Sequence, residues 1–206
     1  MKESLIRELE AIVGSENVHN DQETLIAYSY DATRWKAPPE VVVKPRETEE
    51  VAKIVKLAYE NSIPITPRGA GTGLSGGSIP QAGGIVLSTE RMCAPPQFHK
   101  NDLYAVVQPG VVTEHFQKQA ESMGLFYPPD PASQAACTIG GNIGECAGGL
   151  RAIKYGTTRH YVLGLEVVTP EGKVIRTGAR TVKSVAGYDL TRLMVCLLYT
   201  SPSPRD

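Results

Sequence analysis

The stretch Pro67–Gly77, PRGAGTGLSGG, places Gly71, Gly73 and Gly76 in the spacing G-x-G-x-x-G. Such a run offers successive backbone N–H groups with few Cβ atoms in the way, which is what a phosphate needs from a loop. Two other stretches have chemical potential. YPPDPAS (Tyr127–Ser133) combines prolines with one carboxylate, and TIGGNIGECAGG (Thr138–Gly149) reads as a glycine-rich helix start. Metal chemistry is not expected. Cys93, Cys137, Cys146 and Cys196 include no C-x-x-C pair, and His19, His99, His115 and His160 stand apart from one another. Buried thiols in a reducing cytoplasm are the expected state.

The glycine spacing alone does not decide what the loop binds. A dinucleotide fingerprint must open directly into a helix that receives the pyrophosphate. Here Gly76 is followed by GSIPQAGG, which cannot form one. Glu90 does stand at the end of the next strand, where a ribose-binding acid belongs. Without a crossover helix, however, that strand is not expected to be the parallel neighbour of the strand before the loop. A Walker loop is excluded because no Gly-Lys-Ser/Thr follows. A backbone cradle for phosphate and a floppy surface loop remain.

The elements that must position this loop can be read from periodicity. MKESLIRELEAIV has Leu5, Ile6, Leu9, Ile12 and Val13 at helical spacing, and DQETLIAYSYDAT reads as a second short helix. After the proline-broken RWKAPPE, Val41–Pro45 is a buried strand. ETEEVAKIVKLAYENS is a helix with acids in its first turn, where the helix dipole favours them. IPITPRG returns as a strand, giving a β-α-β unit over residues 41–68, and Gly83–Thr89 is the third strand. LYAVVQPG is a further strand, VTEHFQKQAESMG a helix closed by Gly124, and YVLGLEVVTPEGKVIRTG a hairpin around Pro170–Gly172. Two α+β units result, meeting near residue 90.

Bulk properties narrow the partners. The 206 residues carry 41% apolar and 21% charged side chains, with 21 basic and 22 acidic groups. That balance gives no electrostatic reason to expect nucleic acid or anionic lipid. The charged N-terminus is unlike a signal peptide, and apolar runs such as GIVLS are strand-sized, so no membrane span is expected.

Taken in order, PRGAGTGLSGG, YPPDPAS, CTIGGNIGECAGGLRAIKYGTT and VLGLEVVTPEG resemble the FAD-binding domain of flavin-linked 2-hydroxyacid dehydrogenases, a group that includes the glycolate oxidase D subunit and D-lactate dehydrogenases. The resemblance spans roughly Glu3–Val195. It implies an α+β, two-subdomain FAD-binding fold of the p-cresol methylhydroxylase/vanillyl-alcohol oxidase type, with FAD extended between the subdomains. Residues 1–36 would be an N-terminal helical segment and 37–195 the FAD-binding domain, in subdomains of about 37–90 and 91–195. The resemblance also implies that Arg68, Gly69, Ala70, Gly71, Thr72, Gly73, Leu74, Ser75, Gly76 and Gly77 wrap the pyrophosphate. Pro129, Asp130 and Ser133 would flank the flavin. Thr138, Gly140, Gly141, Asn142 and Gly148 would lie against the cofactor, and Tyr155 and Val162 would complete the wall.

Physical reasoning supports these assignments unevenly. Glycines at TIGGN fit a ring pressed on a helix start, whose free N–H groups favour negative charge, but they equally fit a helix packed closely on a sheet. PPDP also reads simply as a rigid turn. Relatives that attach FAD covalently carry a histidine in the glycine loop; residues 68–77 contain none, so non-covalent FAD is expected. Arg34 and Trp35 are candidates to face a substrate or to form a surface cation–π pair, and His160 reads as structural.

After DLTRLMV the chain departs from the family's pattern. CLLYTSPSPRD (196–206) resembles translated sequencing-adapter read-through, and its composition predicts no packed structure. The FAD domain is therefore expected to be C-terminally incomplete. The substrate domain, with the general base and any metal ligands, is expected to lie outside the chain, which predicts inactivity of this portion alone. The implied function is oxidation of glycolate or D-lactate to the 2-oxoacid, with iron–sulfur partner subunits accepting electrons. The implied location is cytoplasmic, peripheral to the inner membrane through those partners. The alternatives are a non-catalytic flavin-binding subunit of a redox complex and a same-fold flavin oxidase for another alcohol.

Overall fold

A computed structural model describes residues 1–181 and 187–195. These fall into two units, each with its own core. The first comprises Met1–Met92 with Val167–Ile175, and the second Cys93–Glu166 with the described residues from Arg176 onward.

In the first unit, α1 (Glu3–Val13) and α3 (Thr48–Glu60) pack on a four-stranded sheet of β1 (Val18–His19), β2 (Val41–Val43), β3 (Ile65–Arg68) and β4 (Ile85–Ser88), in the order β1-β2-β4-β3. Both helices bury one apolar stripe. Leu9 and Val13 from α1 and Ile54 and Ala58 from α3 meet Val41, Val43, Ile85 and Leu87 of the central strands. Every residue of β2 and β4 is buried, as expected for strands paired in parallel and covered on both faces. The short α2 (Gln22–Ala27) starts at Asp21, whose Oδ1 accepts the Thr24 N–H at 2.8 Å and satisfies one orphan donor of the first turn.

The sheet corrects two sequence-based expectations. The strands of the β-α-β unit are not neighbours, because β4 lies between them. That strand is also a parallel partner of β3, with Ile65 opposite Ile85 and Arg68 opposite Ser88, although no helix joins the two. Length explains this. A parallel crossover needs about a dozen residues rather than a helix as such, and the glycine-rich segment from Gly69 to Gly84 exceeds that.

The second unit begins with β5 (Gln97–His99) paired antiparallel to β6 (Tyr104–Val106), followed by α4 (Thr113–Ser122) and α5 (Ile139–Glu145). Its core is aromatic: Phe116 stacks on Phe98 at 5.4 Å and meets Tyr127 edge-on at 5.1 Å, with Val111 and Ile139 beside them. Then follow α6 (Ala152–Tyr155), β7 (Gly164–Val168), β8 (Val174–Gly178) and α7 (Leu190–Met194), with Val167–Ile175 of this stretch belonging to the first unit. The expected hairpin is formed by β7 and β8, whose turn is closed by Thr169 N–H to Lys173 O at 2.8 Å. The expected buried state of the thiols needs correction, since Cys93 is exposed while Cys137 is buried. Cys196 and the rest of 196–206 lie outside the described residues, as do 182–186. Among the described residues, no helix is long and apolar enough to cross a membrane.

Candidate functional site

The glycine loop leaves β3 at Arg68, whose buried side chain turns back under the loop instead of out to solvent. Its guanidinium lies 5.3 Å from the centre of the Tyr28 ring, and Nη1 reaches Ser78 O and Oγ at the long distances of 3.4 and 3.5 Å. Burial lowers its pKa from the usual arginine value, and the negative potential of Tyr28 and Asp31 opposes that shift. The cation remains charged and sits beneath the loop. Gly71 covers it. At φ +68° a Cβ here would run into the guanidinium, so only glycine permits both the turn and the contact.

The far half of the loop is tied to residues 31–35. The Gly76 N–H donates to the buried Asp31 Oδ2 at 3.0 Å, and the Ala32 N–H donates to Gly73 O at 3.1 Å. Asp31 Oδ1 accepts from Thr33 N and Oγ1 at 2.7 and 2.6 Å. Gly76 has φ +79°, and a Cβ there would stand 2.9 Å from the Trp35 ring. Positive φ within the loop falls at Gly71 and Gly76 rather than at Gly73.

Between these ties lies the donor set. Among the described residues, the N–H groups of Gly69, Ala70, Gly71, Thr72, Gly73 and Leu74 find no protein acceptor. The loop is therefore a row of unpaired donors behind which a buried cation sits, and its glycine backbone can be approached closely. This chemistry fits a diphosphate. The Gly76 N–H is engaged by Asp31 and so is not part of this donor row. Leu74 is 76% exposed, Gly77 is exposed, and Ser75 is half-buried.

Glu90, the acid at the strand end, has a side chain 45% exposed but tied down by two partners. Oε1 pairs with Lys44 Nζ at 2.6 Å, and Oε2 accepts from Tyr28 OH at 2.5 Å. Burial pushes the Glu90 carboxyl up, but the hydrogen bonds from Lys44 and Tyr28 outweigh it and leave its pKa below the ordinary value. The same group raises the Tyr28 hydroxyl above its usual pKa, through burial first and the Glu90 bond second. Tyr28 thus links the Glu90–Lys44 pair to the Arg68 cation.

In the second unit the predicted residues form two connected structures. Gln117 Nε2 donates to Pro129 O at 2.7 Å, fixing the YPPDPAS turn. Asp130 then organises the segment after α5. Its N–H donates to Gly148 O at 3.0 Å, its Oδ1 accepts the Arg151 N–H at 3.0 Å, and its Oδ2 lies 3.5 Å from Arg151 Nε. Ser133 O accepts from Ala136 N and Cys137 N, both at 2.8 Å. Tyr155 meets Phe126 edge-on at 5.7 Å and accepts the Tyr161 hydroxyl on its carbonyl at 2.6 Å. Val162 is half-buried beside Tyr161 in sequence.

The start of α5 corrects the expectation of free donors. Ile139 N donates to Val111 O at 2.9 Å, Gly140 N to Pro109 O at 2.8 Å, Gly141 N to the N-cap Thr138 Oγ1 at 3.3 Å, and Asn142 N to Thr138 O at 2.9 Å. No anion is needed to satisfy this terminus. Gly140 is small for a packing reason, because a Cβ would lie 2.5 Å from Pro109 Cβ. Asn142 is 2% exposed and donates to Thr113 Oγ1 at 2.7 Å. Of the two expectations for Arg34 and Trp35, the cation–π pair is corrected: among the described residues, the cation–π contact of this segment is Lys36 over Tyr30, at 5.8 Å. His160 Nδ1 accepts the Thr157 N–H at 3.0 Å and closes a capping box, a structural role.

Sequence reading missed Asp31, Tyr28, Lys44 and Gln117. Asp31 had one local signal, the Asp-x-Thr spacing of a side-chain-closed turn, which says nothing about the loop it reaches.

Residues 39–178 match a family described as the FAD binding domain. The chain belongs to this FAD-binding family. It is 48% identical to the glycolate oxidase subunit GlcD of Bacillus subtilis (strain 168), over 95% of this chain and 41% of that protein. It is 46% identical to a D-lactate dehydrogenase of Anaerostipes hadrus, over 78% of this chain and 34% of the relative. The FAD-binding chain thus spans about two fifths or less of these relatives' length. Among solved structures, p-cresol methylhydroxylase with substrate bound superposes with a TM-score of 0.74 at 26% identity, covering 85% of this chain and 35% of its own. The fold is that of the p-cresol methylhydroxylase type, and the cofactor is FAD.

Proposed function

We propose that this chain is the FAD-holding part of a dehydrogenase that oxidises a small 2-hydroxyacid, glycolate or D-lactate, to the 2-oxoacid. The observation that carries the reading is the unpaired N–H row from Gly69 to Leu74 over the buried Arg68 cation, in a chain whose relatives are named for glycolate and D-lactate.

In this reading the N–H groups of Gly69, Ala70, Gly71, Thr72 and Gly73 hydrogen-bond the diphosphate, and Arg68 offsets its charge from below. Leu74, Ser75, Gly76 and Gly77 complete the loop's wall, with Gly76 acting through its tie to Asp31. In the second unit, Pro129, Asp130 and Ser133 flank the flavin ring. Thr138, Gly140, Gly141, Asn142, Gly148, Tyr155 and Val162 shape the surface behind it. When bound, FAD supplies the acceptor for the hydride leaving the hydroxyacid's C2. The chain's own residues bind and orient; the group that takes the hydroxyl proton is assigned to the part of the relatives this chain does not span. Electrons then pass to partner subunits, to which this reading assigns iron–sulfur centres; that the Bacillus relative is named a subunit supports the existence of partners. Any membrane association runs through those partners. Binding of FAD is non-covalent, since residues 68–77 hold no histidine.

The test joins residues 1–195 to the C-terminal part of the Bacillus relative. The purified protein should be yellow, trichloroacetic acid should release its flavin to the supernatant, and glycolate or D-lactate should reduce an artificial electron acceptor. A flavin-loaded protein that turns over neither acid refutes the substrate assignment. Flavin in the pellet refutes the non-covalent one.

A further inference from the structure

The family match begins at residue 39, yet the loop's far half is held from upstream of it, by residues 31–35. A carboxylate beside a phosphate-binding loop is electrostatically adverse, because it repels the ligand's own charge. Asp31 nevertheless stands there, 6% exposed, with its oxygens engaged by Gly76 N, Thr33 N and Thr33 Oγ1, and with the Arg68 cation as its counter-charge. These partners take up three of its roughly four lone-pair sites and offset the cost of burying it.

We propose that Asp31 is a positioning residue for the diphosphate loop. Its carboxylate fixes Gly76 through the N–H, and the turn it closes with Thr33 presents the Ala32 N–H to Gly73 O. With Arg68 under Gly71 at one end and Asp31 at the other, the loop is tied at both ends, and the donors from Gly69 to Leu74 stay open for the ligand. Without the Asp31 tie the glycine-rich loop gains conformations in the free protein, and binding must repay that entropy. The inference rests on the reading of this loop as the diphosphate cradle.

The test compares Asp31→Ala, Asp31→Asn, Gly71→Ala and Ile54→Val in the 206-residue chain, by FAD titration and by ³¹P NMR of bound FAD. Asp31→Ala should weaken FAD at least tenfold, about 1.4 kcal/mol, and move the diphosphate resonances. Asp31→Asn keeps an acceptor for Gly76 but turns an NH₂ toward Thr33, so its loss should be smaller. Ile54→Val loosens the core of the first unit away from the loop and should leave both the affinity and the resonances in place. If Asp31→Ala keeps parental affinity and resonances while Gly71→Ala weakens binding or lowers Tm, the Asp31 tie is refuted and the cradle stands. If neither weakens binding and Gly71→Ala also keeps the parental Tm, the cradle falls and the tie with it. Should Asp31→Ala fail to fold, parental affinity and resonances in Asp31→Asn overturn the proposal.

Discussion

Replacing Gly71 with alanine tests the cradle at its most constrained point. At φ +68° a residue with a Cβ pays roughly 1–2 kcal/mol for the left-handed conformation. The new methyl also meets the Arg68 guanidinium, which is the far end of a flexible side chain and will move. Moving it breaks the 5.3 Å contact with the Tyr28 ring, worth about 0.5–1 kcal/mol, and withdraws the positive charge from beneath the loop. The sum is about 2 kcal/mol, or roughly a thirtyfold change in an equilibrium constant.

Where that energy shows depends on the free loop. If the loop relaxes in the absence of ligand, the strain returns on binding and FAD affinity falls by about thirtyfold. If it does not relax, the same energy lowers Tm by roughly 4–8 °C. FAD titration and thermal unfolding of the free protein, measured together, capture either outcome. Gly144→Ala is the control, since nothing stands within 4 Å of a Cβ there and alanine should raise helix stability by up to about 1 kcal/mol. Parental affinity and parental Tm in Gly71→Ala would refute both the loop geometry and its role.

Gly140→Ala should lower Tm despite alanine's higher helix propensity, because a Cβ 2.5 Å from Pro109 Cβ overpacks the start of α5 by about 1–3 kcal/mol. A rise in Tm in thermal unfolding would show that propensity outweighs the contact. Burial pushes the Tyr127 hydroxyl up to about 12, against an ordinary 10. Folded and unfolded states are both protonated below pH 10, so the stability is intact there. Between pH 10 and 12 the unfolded chain ionises first, and stability should fall by about 1.4 kcal/mol per pH unit. Denaturant titrations across that range should show the extra slope in the parent and not in Tyr127→Phe; equal slopes would contradict the burial.

The helices α1 and α3 were legible because periodicity over several turns reports directly on a buried face, and the strands β2 and β4 because each holds an unbroken apolar run rich in β-branched residues. Leu9, Val13, Ile54 and Ala58 all sit in the core. Strands β1 and β5 were missed because VH and QFH are short and mix polar with apolar residues, so neither offers an apolar run. The Thr138–Gly149 stretch was legible as a helix and misleading as an anion site. Its donors are satisfied by the Pro109 and Val111 carbonyls and by Thr138, and nothing local in the sequence announces those partners. The Asp31–Gly76 bond joins residues 45 apart, and no local rule reaches that far.

The same consideration explains why G-x-G-x-x-G occurs here without a dinucleotide fold. In that fold a crossover helix follows the first strand, and its first N–H groups meet the phosphates while the third glycine lets helix and strand pack. Here the crossover to β4 is made by the loop itself. Backbone that never enters a helix leaves its N–H groups without a protein acceptor among the described residues along the whole stretch from Gly69 to Leu74, not only at one terminus. The price is that such a loop needs holding, and the glycines mark where it is held. Gly71 admits the Arg68 guanidinium, and Gly76 admits the Trp35 ring while giving its N–H to Asp31. The spacing is shared with the dinucleotide fold, but each glycine answers to a different neighbour. A valine at Gly76 would therefore be expected to disturb residues 31–35 before it touched any ligand, and loss of near-ultraviolet circular dichroism from Trp35 in the FAD-free protein would reveal it.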